Sequence, residues 1–181
     1  RKLLSDLFSE AMPLVDEYFV TNIDEPIAAT LLREMIAAGK TFCTAESCTG
    51  GYIAHQITSI PGSSAAFKGS VIAYSNEIKE KLLNVNAVTL QQYGAVSNQT
   101  VCEMAVNARK ILNTDYAIAV SGIAGPDGGT PAKPVGTVWF AWAFRSGSAM
   151  EIRVQHHQFD GDRGQVRLQA VVTALAGVLE T

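Results

Sequence analysis

The order of apolar segments predicts a three-layer α/β/α domain built on a mixed β-sheet. Three observations carry that expectation. Helix-like and strand-like segments alternate through the first two thirds of the chain, the pattern of βα units. Two strand-like segments then follow one another over 136–144 and 151–159, joined at Ser146-Gly147-Ser148, as in an antiparallel hairpin. Glycine and small hydroxyl residues gather where the early strands end, and such loops are where function sits.

Residues 1–24 read as a helical segment or linker, because Leu3, Leu4, Leu7 and Phe8 recur at helical spacing ahead of Pro13. The domain proper is expected over 25–181. Asp24 is a candidate N-cap, Pro26 stands in the first turn, and Ile27, Leu31 and Met35 form one apolar stripe that Gly39 ends. The segment TFCTAE (41–46) predicts a short strand, and Ser47-Cys48-Thr49-Gly50-Gly51 leads from it into a helix near 52–60 that Pro61-Gly62 stops. A strand is predicted over 67–74, and Asn76 is expected to cap a short helix carrying Lys79, Leu82 and Leu83. Ser97 opens a longer helix with Val101, Met104, Ala105, Ala108 and Leu112 on one face. Residues 116–120 predict a buried strand that runs into Ser121-Gly122-Ile123-Ala124-Gly125-Pro126-Asp127-Gly128-Gly129. After the hairpin, Asp160–Arg163 turns into a last helix whose inner side is expected to be Leu168, Val172, Leu175 and Leu179.

With 48% hydrophobic and 17% charged residues, 181 residues suffice for one domain with a sizeable core. A net charge of −3 without a concentrated basic stripe excludes general attraction to nucleic acid or anionic membrane, so neither is expected as a direct partner. An anionic ligand must then be held locally, by a few cations and backbone N–H groups. Cys43, Cys48 and Cys102 form no CxxC pair and have no histidine at metal spacing, which suits a reducing, cytoplasmic setting and offers no metal site. His156 and His157 are neighbours in a strand, so they point to opposite faces and cannot chelate one ion. The aromatics Tyr52, Tyr93 and Trp142 look exposed and lead us to expect a homo-oligomer. The first residue is Arg1, not methionine, so a piece of a longer protein with an upstream domain is also expected.

The 47–51 turn lies between a strand and a helix, where free N–H groups favour a phosphate, a carboxylate or a developing oxyanion. Gly50 and Gly51 permit close backbone approach. The same residues also suit a plain capped helix start, with Ser47 or Thr49 as N-cap. The turn is neither a Walker loop nor a GxGxxG fingerprint nor a GxSxG elbow. An amide or ester hydrolase needs a nucleophile and a base, and a lysine serves if burial depresses its pKa. Ser47 with Lys79 is such a pair, and Tyr74 could orient the lysine or relay the proton; as a solvated helix lysine beside Glu80, Lys79 would do neither. Cys48 is a rival nucleophile without a nearby histidine. Arg163 and Arg167 stand at i, i+4 at a helix start, opposing the helix dipole, and either could hold a phosphate.

Taken in order, TAESCTGGYIAHQITSIPGSS, FKGSVIAYSNEIK, GAVS, SGIAGPDGG, KPVGTVW and FDGDR resemble the CinA C-terminal domain family over roughly residues 25–180. Its active members are nicotinamide-mononucleotide amidohydrolases of the PncC type. The resemblance implies hydrolysis of the carboxamide of nicotinamide mononucleotide to nicotinate mononucleotide and ammonia, without a cofactor or metal. It implies Ser47 as nucleophile, with Lys79 and Tyr74 completing the catalytic set. Thr49, Gly50, Gly51, Ser121, Gly122 and Arg163 would bind substrate, Arg163 facing the phosphate. Members fused behind a larger N-terminal domain fit the expectation that something precedes Arg1. The alternatives are a non-catalytic nucleotide-binding module and a competence or DNA-damage accessory domain.

Overall fold

The computed structural model describes residues 25–147 and 149–181; the helix or linker expected over 1–24, with the Asp24 cap, lies outside the described residues. The elements are α1 (Ile27–Ala37), β1 (Phe42–Glu46), α2 (Tyr52–Thr58), β2 (Phe67–Ile72), α3 (Asn76–Leu83), α4 (Ala87–Tyr93), α5 (Asn98–Leu112), β3 (Tyr116–Gly122), β4 (Thr137–Ser146), β5 (Ala149–Gln158) and α6 (Arg163–Leu179). One five-stranded sheet has the order β2-β1-β3-β4-β5. β1 runs parallel to β2 and β3, whereas β3–β4 and β4–β5 are antiparallel. The predicted mixed sheet between two helical layers is therefore observed.

Alternation along the strands sorts two cores. Phe42, Ile118, Val120, Val138, Phe140, Trp142 and Phe144 face α1, α2 and α6. Cys43, Ala45, Ala117, Ala119, Ala141 and Ala143 face Leu83, Leu90 and the Val101–Met104–Ala105–Ala108 stripe of α5. Alanines on that second face let α5 lie close to the sheet. The large side chains of the first face require a slim helix opposite, and α6 supplies it.

That requirement corrects the predicted inner stripe of α6. Val166, Ala170, Val171, Ala174, Leu175, Gly177 and Val178 are the buried positions; Leu175 and the partly buried Leu179 lie inward as expected, whereas Leu168 and Val172 are exposed. Gly177 lies against Trp142, where a Cβ would overlap the indole. Trp142 itself is buried and donates its Nε1–H to Ala174 O at 2.9 Å, so it is not one of the exposed aromatics expected to favour an oligomer. Two boundaries also shift: Ser75 rather than Asn76 caps α3, accepting from Ile78 N at 3.2 Å, and β2 ends at Ile72. Pro26, expected within the first turn of α1, is its N-cap. Helix α4, capped by Asn86, was not predicted.

Candidate active site

β1, β2 and β3 end at one edge of the sheet, and β5 delivers the chain to α6 at that same edge. α2 leaves β1 on one face, whereas α3 to α5 return to β3 on the other. β1 and β3 therefore flank a topological switch point, the crevice where open α/β sheets take ligands. Ser47 follows β1 directly, and its N–H donates to Val120 O of β3 at 3.0 Å. A cavity of about 190 Å³ lies there, with Ser47, Cys48, Tyr74, Lys79, Ser121, Gly122 and Arg163 in its wall.

Lys79 is 1% exposed, an unusual place for an ammonium. α3 puts it there by burying only its Lys79 and Leu83 side. Its Nζ has three neighbours: Ser47 Oγ at 2.9 Å, Ala73 O at 2.7 Å and Tyr74 O at 3.3 Å. Two of the three are carbonyls, which only accept. A neutral amine has two N–H donors for those carbonyls and one lone pair, which is left facing the serine hydroxyl. Burial also lowers the Lys79 pKa from 10.5 to about 8, so a usable neutral fraction exists near physiological pH.

Tyr74 enters this arrangement differently from expectation. It is its carbonyl that meets Lys79; its hydroxyl accepts from Arg163 Nη2 at 3.0 Å, and the residue is 60% exposed. Arg163, the first residue of α6, also donates Nη1–H to Gly125 O at 2.8 Å and so closes the cavity between Tyr74 and the 121–129 loop. The Asp162 N-cap, with its capping box to Gln165, offsets the cost of an arginine at this helix start. Ser121 is buried and donates to Ala95 O at 2.8 Å.

The 47–51 turn is more committed than its sequence suggests. Glu46, fully buried and not singled out from sequence, fills the N-terminus of α2: its carboxylate accepts from Gly51 N at 2.9 Å, Ile53 N at 3.1 Å and Ala54 N at 2.9 Å. Thr44 and Ser70 hydroxyls complete its shell. Gly50 N–H is taken by Ser47 O and Tyr52 N–H by Thr49 O. Thr49, Gly50 and Gly51 consequently lie outside the cavity wall. Within the 47–51 turn the N–H groups of Cys48 and Thr49 have no carbonyl or carboxylate acceptor among the described residues and face the Cys48 sulfur instead. Gly51 is needed for geometry instead: its φ is +90°, and a Cβ would come within 2.9 Å of Ile72 Cδ1. A signal for Glu46 existed in the sequence, since an acid ending a buried strand just before a helix must find donors. Arg167 also serves the turn, donating to Thr49 O at 2.7 Å and stacking over Tyr52.

Cys48 shares the cavity but is a poor nucleophile. Burial pushes its thiol up to about 12, leaving about one part in ten thousand as thiolate at pH 8. Treatment with iodoacetamide at that pH is expected to leave activity intact; rapid inactivation that substrate prevents would reinstate the thiol.

The family model of the CinA C-terminal domain matches residues 24–181, a span that takes in every described residue. The chain belongs to the CinA C-terminal domain family. Nicotinamide-nucleotide amidohydrolase PncC of Escherichia coli is 52% identical over 139 residues, which are 77% of this chain and 82% of that protein. A CinA-like protein of Thermosipho melanesiensis is 44% identical across 96% of this chain, which matches 40% of that longer protein. Among solved structures, competence damage-inducible protein A of Klebsiella pneumoniae superposes with a TM-score of 0.81 at 40% identity, covering 86% of this chain and 94% of its own. Kinship with amidohydrolases at this level makes this CinA domain an amidohydrolase. Among its described residues no helix is long and apolar enough to cross a membrane.

Proposed function

We propose that the chain hydrolyses the carboxamide of nicotinamide mononucleotide, giving nicotinate mononucleotide and ammonia. The observation that carries this reading is the Lys79 amine held by two carbonyls with its remaining valence toward Ser47 Oγ. In the proposed reaction Ser47 Oγ attacks the carboxamide carbon as its proton passes to Lys79. The oxyanion takes the N–H of Cys48, which lies in the cavity wall beside Ser47. On collapse the C–N bond breaks, and the Lys79 ammonium returns its proton to the departing amide nitrogen, which leaves as ammonia. Water, deprotonated by the again neutral Lys79, attacks the Ser47 ester; as the C–O bond to Ser47 breaks, the Lys79 ammonium returns that proton to Ser47 Oγ, and the acid product leaves ionised as the carboxylate.

Arg163 is assigned the substrate phosphate, together with the backbone of the 121–125 loop, and Ser121 and Gly122 shape the wall beside the pyridine ring. Tyr74 is assigned to positioning through its ring and its bond to Arg163, since its hydroxyl faces the arginine instead of the Ser47–Lys79 pair. The N-terminus of α2, filled by Glu46, is not available to the phosphate.

The test is ammonia release from nicotinamide mononucleotide by the purified chain in the presence of a strong chelator, since no step uses a metal. Binding of the mononucleotide without ammonia would move the reading to a nucleotide-binding module. Arg163→Gln is expected to raise KM by about tenfold to a hundredfold with a smaller change in kcat, the cost of losing charge-assisted hydrogen bonds. An unchanged KM in steady-state kinetics would place the phosphate elsewhere.

A further inference from the structure

At the opposite end of the sheet from Ser47 lies a second cavity, of about 360 Å³, walled by Arg109, Lys110, Asn113, Thr114, Asp115 and Arg145. It is created by the register of β3 and β4. Tyr116 pairs with Phe144, so Arg145, the next residue of β4, comes beside Asp115 and the end of α5. With Lys40, which reaches Asp115 at 3.5 Å, four of the chain's 14 lysines and arginines converge on this end of a protein whose net charge is −3.

Arg109 is the built part. It is only 8% exposed, and its Nε–H donates to Asp115 O at 3.1 Å. That bond fixes the guanidinium, while its terminal nitrogens make no hydrogen bond among the described residues. Arg109, Lys110 and Arg145 likewise make no ion pair among the described residues. The one carboxylate in the wall is already engaged, since Asp115 Oδ2 accepts from Thr41 N at 2.9 Å and Thr41 Oγ1 at 3.0 Å while Oδ1 faces Lys40. Nor are the cations needed to close α5: Asn113 N and Thr114 N already bond the carbonyls of Lys110 and Arg109. The helix dipole favours cations on this last turn, but it does not account for Arg145, which arrives on a different element.

We propose that this cavity is a second anion site that takes a phosphate group, either free or on a nucleotide. A guanidinium held by its Nε and open along its other edge presents parallel N–H groups that match two oxygens of a phosphate. Lys110 and Arg145 supply the remaining positive charge from two sides, and the Asn113 and Thr114 side chains add neutral polar groups. Residues 116–120 of β3 separate this cavity from Ser121 and Gly122, so its occupant does not touch the reacting groups.

The experiment is an amide NMR titration of the full chain with inorganic pyrophosphate at constant ionic strength, beside the Lys110→Gln/Arg145→Gln double variant. Both substituted side chains are exposed. Saturable shifts at residues 109–115 and 145 are expected, with affinity weakened at least tenfold in the variant, roughly the worth of one charge-assisted bond. Amidase kinetics of the variant are expected to equal those of the wild type. Shifts that never saturate, or a variant that titrates like the wild type, would overturn the site. Repeating the titration with inorganic phosphate and with adenosine monophosphate separates the sources: equal affinities assign a free phosphate, and tighter mononucleotide binding assigns a nucleotide.

Discussion

Ser47→Ala and Lys79→Ala are each expected to reduce ammonia release by a factor on the order of ten thousand or more, and the double variant by little beyond either. A nucleophile and its base act as a unit, so deleting one removes what the other contributes. Lys79→Arg is expected to fail equally, because a guanidinium keeps its proton at any accessible pH. In the wild type kcat/KM should climb with pH and level off above about 8, the Lys79 pKa, since only the neutral amine accepts the serine proton. A flat profile from pH 6 to 9, or an additive double variant, would dismantle the pair.

The same lysine makes a signed statement about stability. Its folded pKa of about 8 lies below the unfolded 10.5, so the unfolded chain binds this proton more tightly. The resulting cost, about 3 kcal/mol, is fully present below pH 8 and fades as pH rises to 10.5. Against Lys79→Met, wild-type stability from denaturant midpoints should therefore gain steadily across that window.

Gly177→Ala should be the most damaging methyl that can be added to α6. Alanine in a helix interior ordinarily stabilises by about 1 kcal/mol over glycine. Here the new Cβ would overlap the Trp142 indole, which is held by its bond to Ala174 O, by stacking on Phe140 at 5.8 Å and by the Arg153 guanidinium above it. Overpacking at so fixed a side chain is expected to cost about 3 kcal/mol, a fall in Tm of roughly 10 °C for a domain of this size. Trp142→Phe should recover part of the loss in the double variant, although alone it destabilises. A Gly177→Ala protein that melts at or above the wild type would refute the overlap.

These two sites mark how far the sequence could be read. Ser47, Lys79 and Arg163 could be picked out by residue type and Ser121 only through the family resemblance, and all four line one cavity. The backbone partners of Lys79 were invisible, since Ala73 and Tyr74 act through their carbonyls, which every residue has. The turn at 47–51 left open N–H groups and a capped helix start as alternatives; Glu46 closes it by folding back, and an acid ending a buried strand signals a need for donors without naming which ones it takes. Leu168 and Val172 were placed inward because α6 is apolar over most of its circumference; the choice of face is made by the bulk of Phe140 and Trp142 on another element. Helix α4 is two turns of weak periodicity, stabilised by its Asn86 cap and by Thr89 against Glu103 of α5, a contact that sequence spacing does not announce.

The sheet edge that gathers the site also dictates when the site can exist. Ser47 meets Lys79 across 32 residues, Ser121 meets Ala95 across 26, and Arg163 meets Tyr74 across 89. Parallel pairing of β1 with β3 must itself close a loop of some seventy residues, seen in the 74-residue span from Thr41 to Asp115. Such closures come late in folding. A nascent chain on the ribosome therefore carries the proposed nucleophile and base long before it carries a pocket. Only when residue 163 has emerged and α6 has docked can the proposed substrate site close, so competence arrives with α6 and not with the β1 turn that carries Ser47.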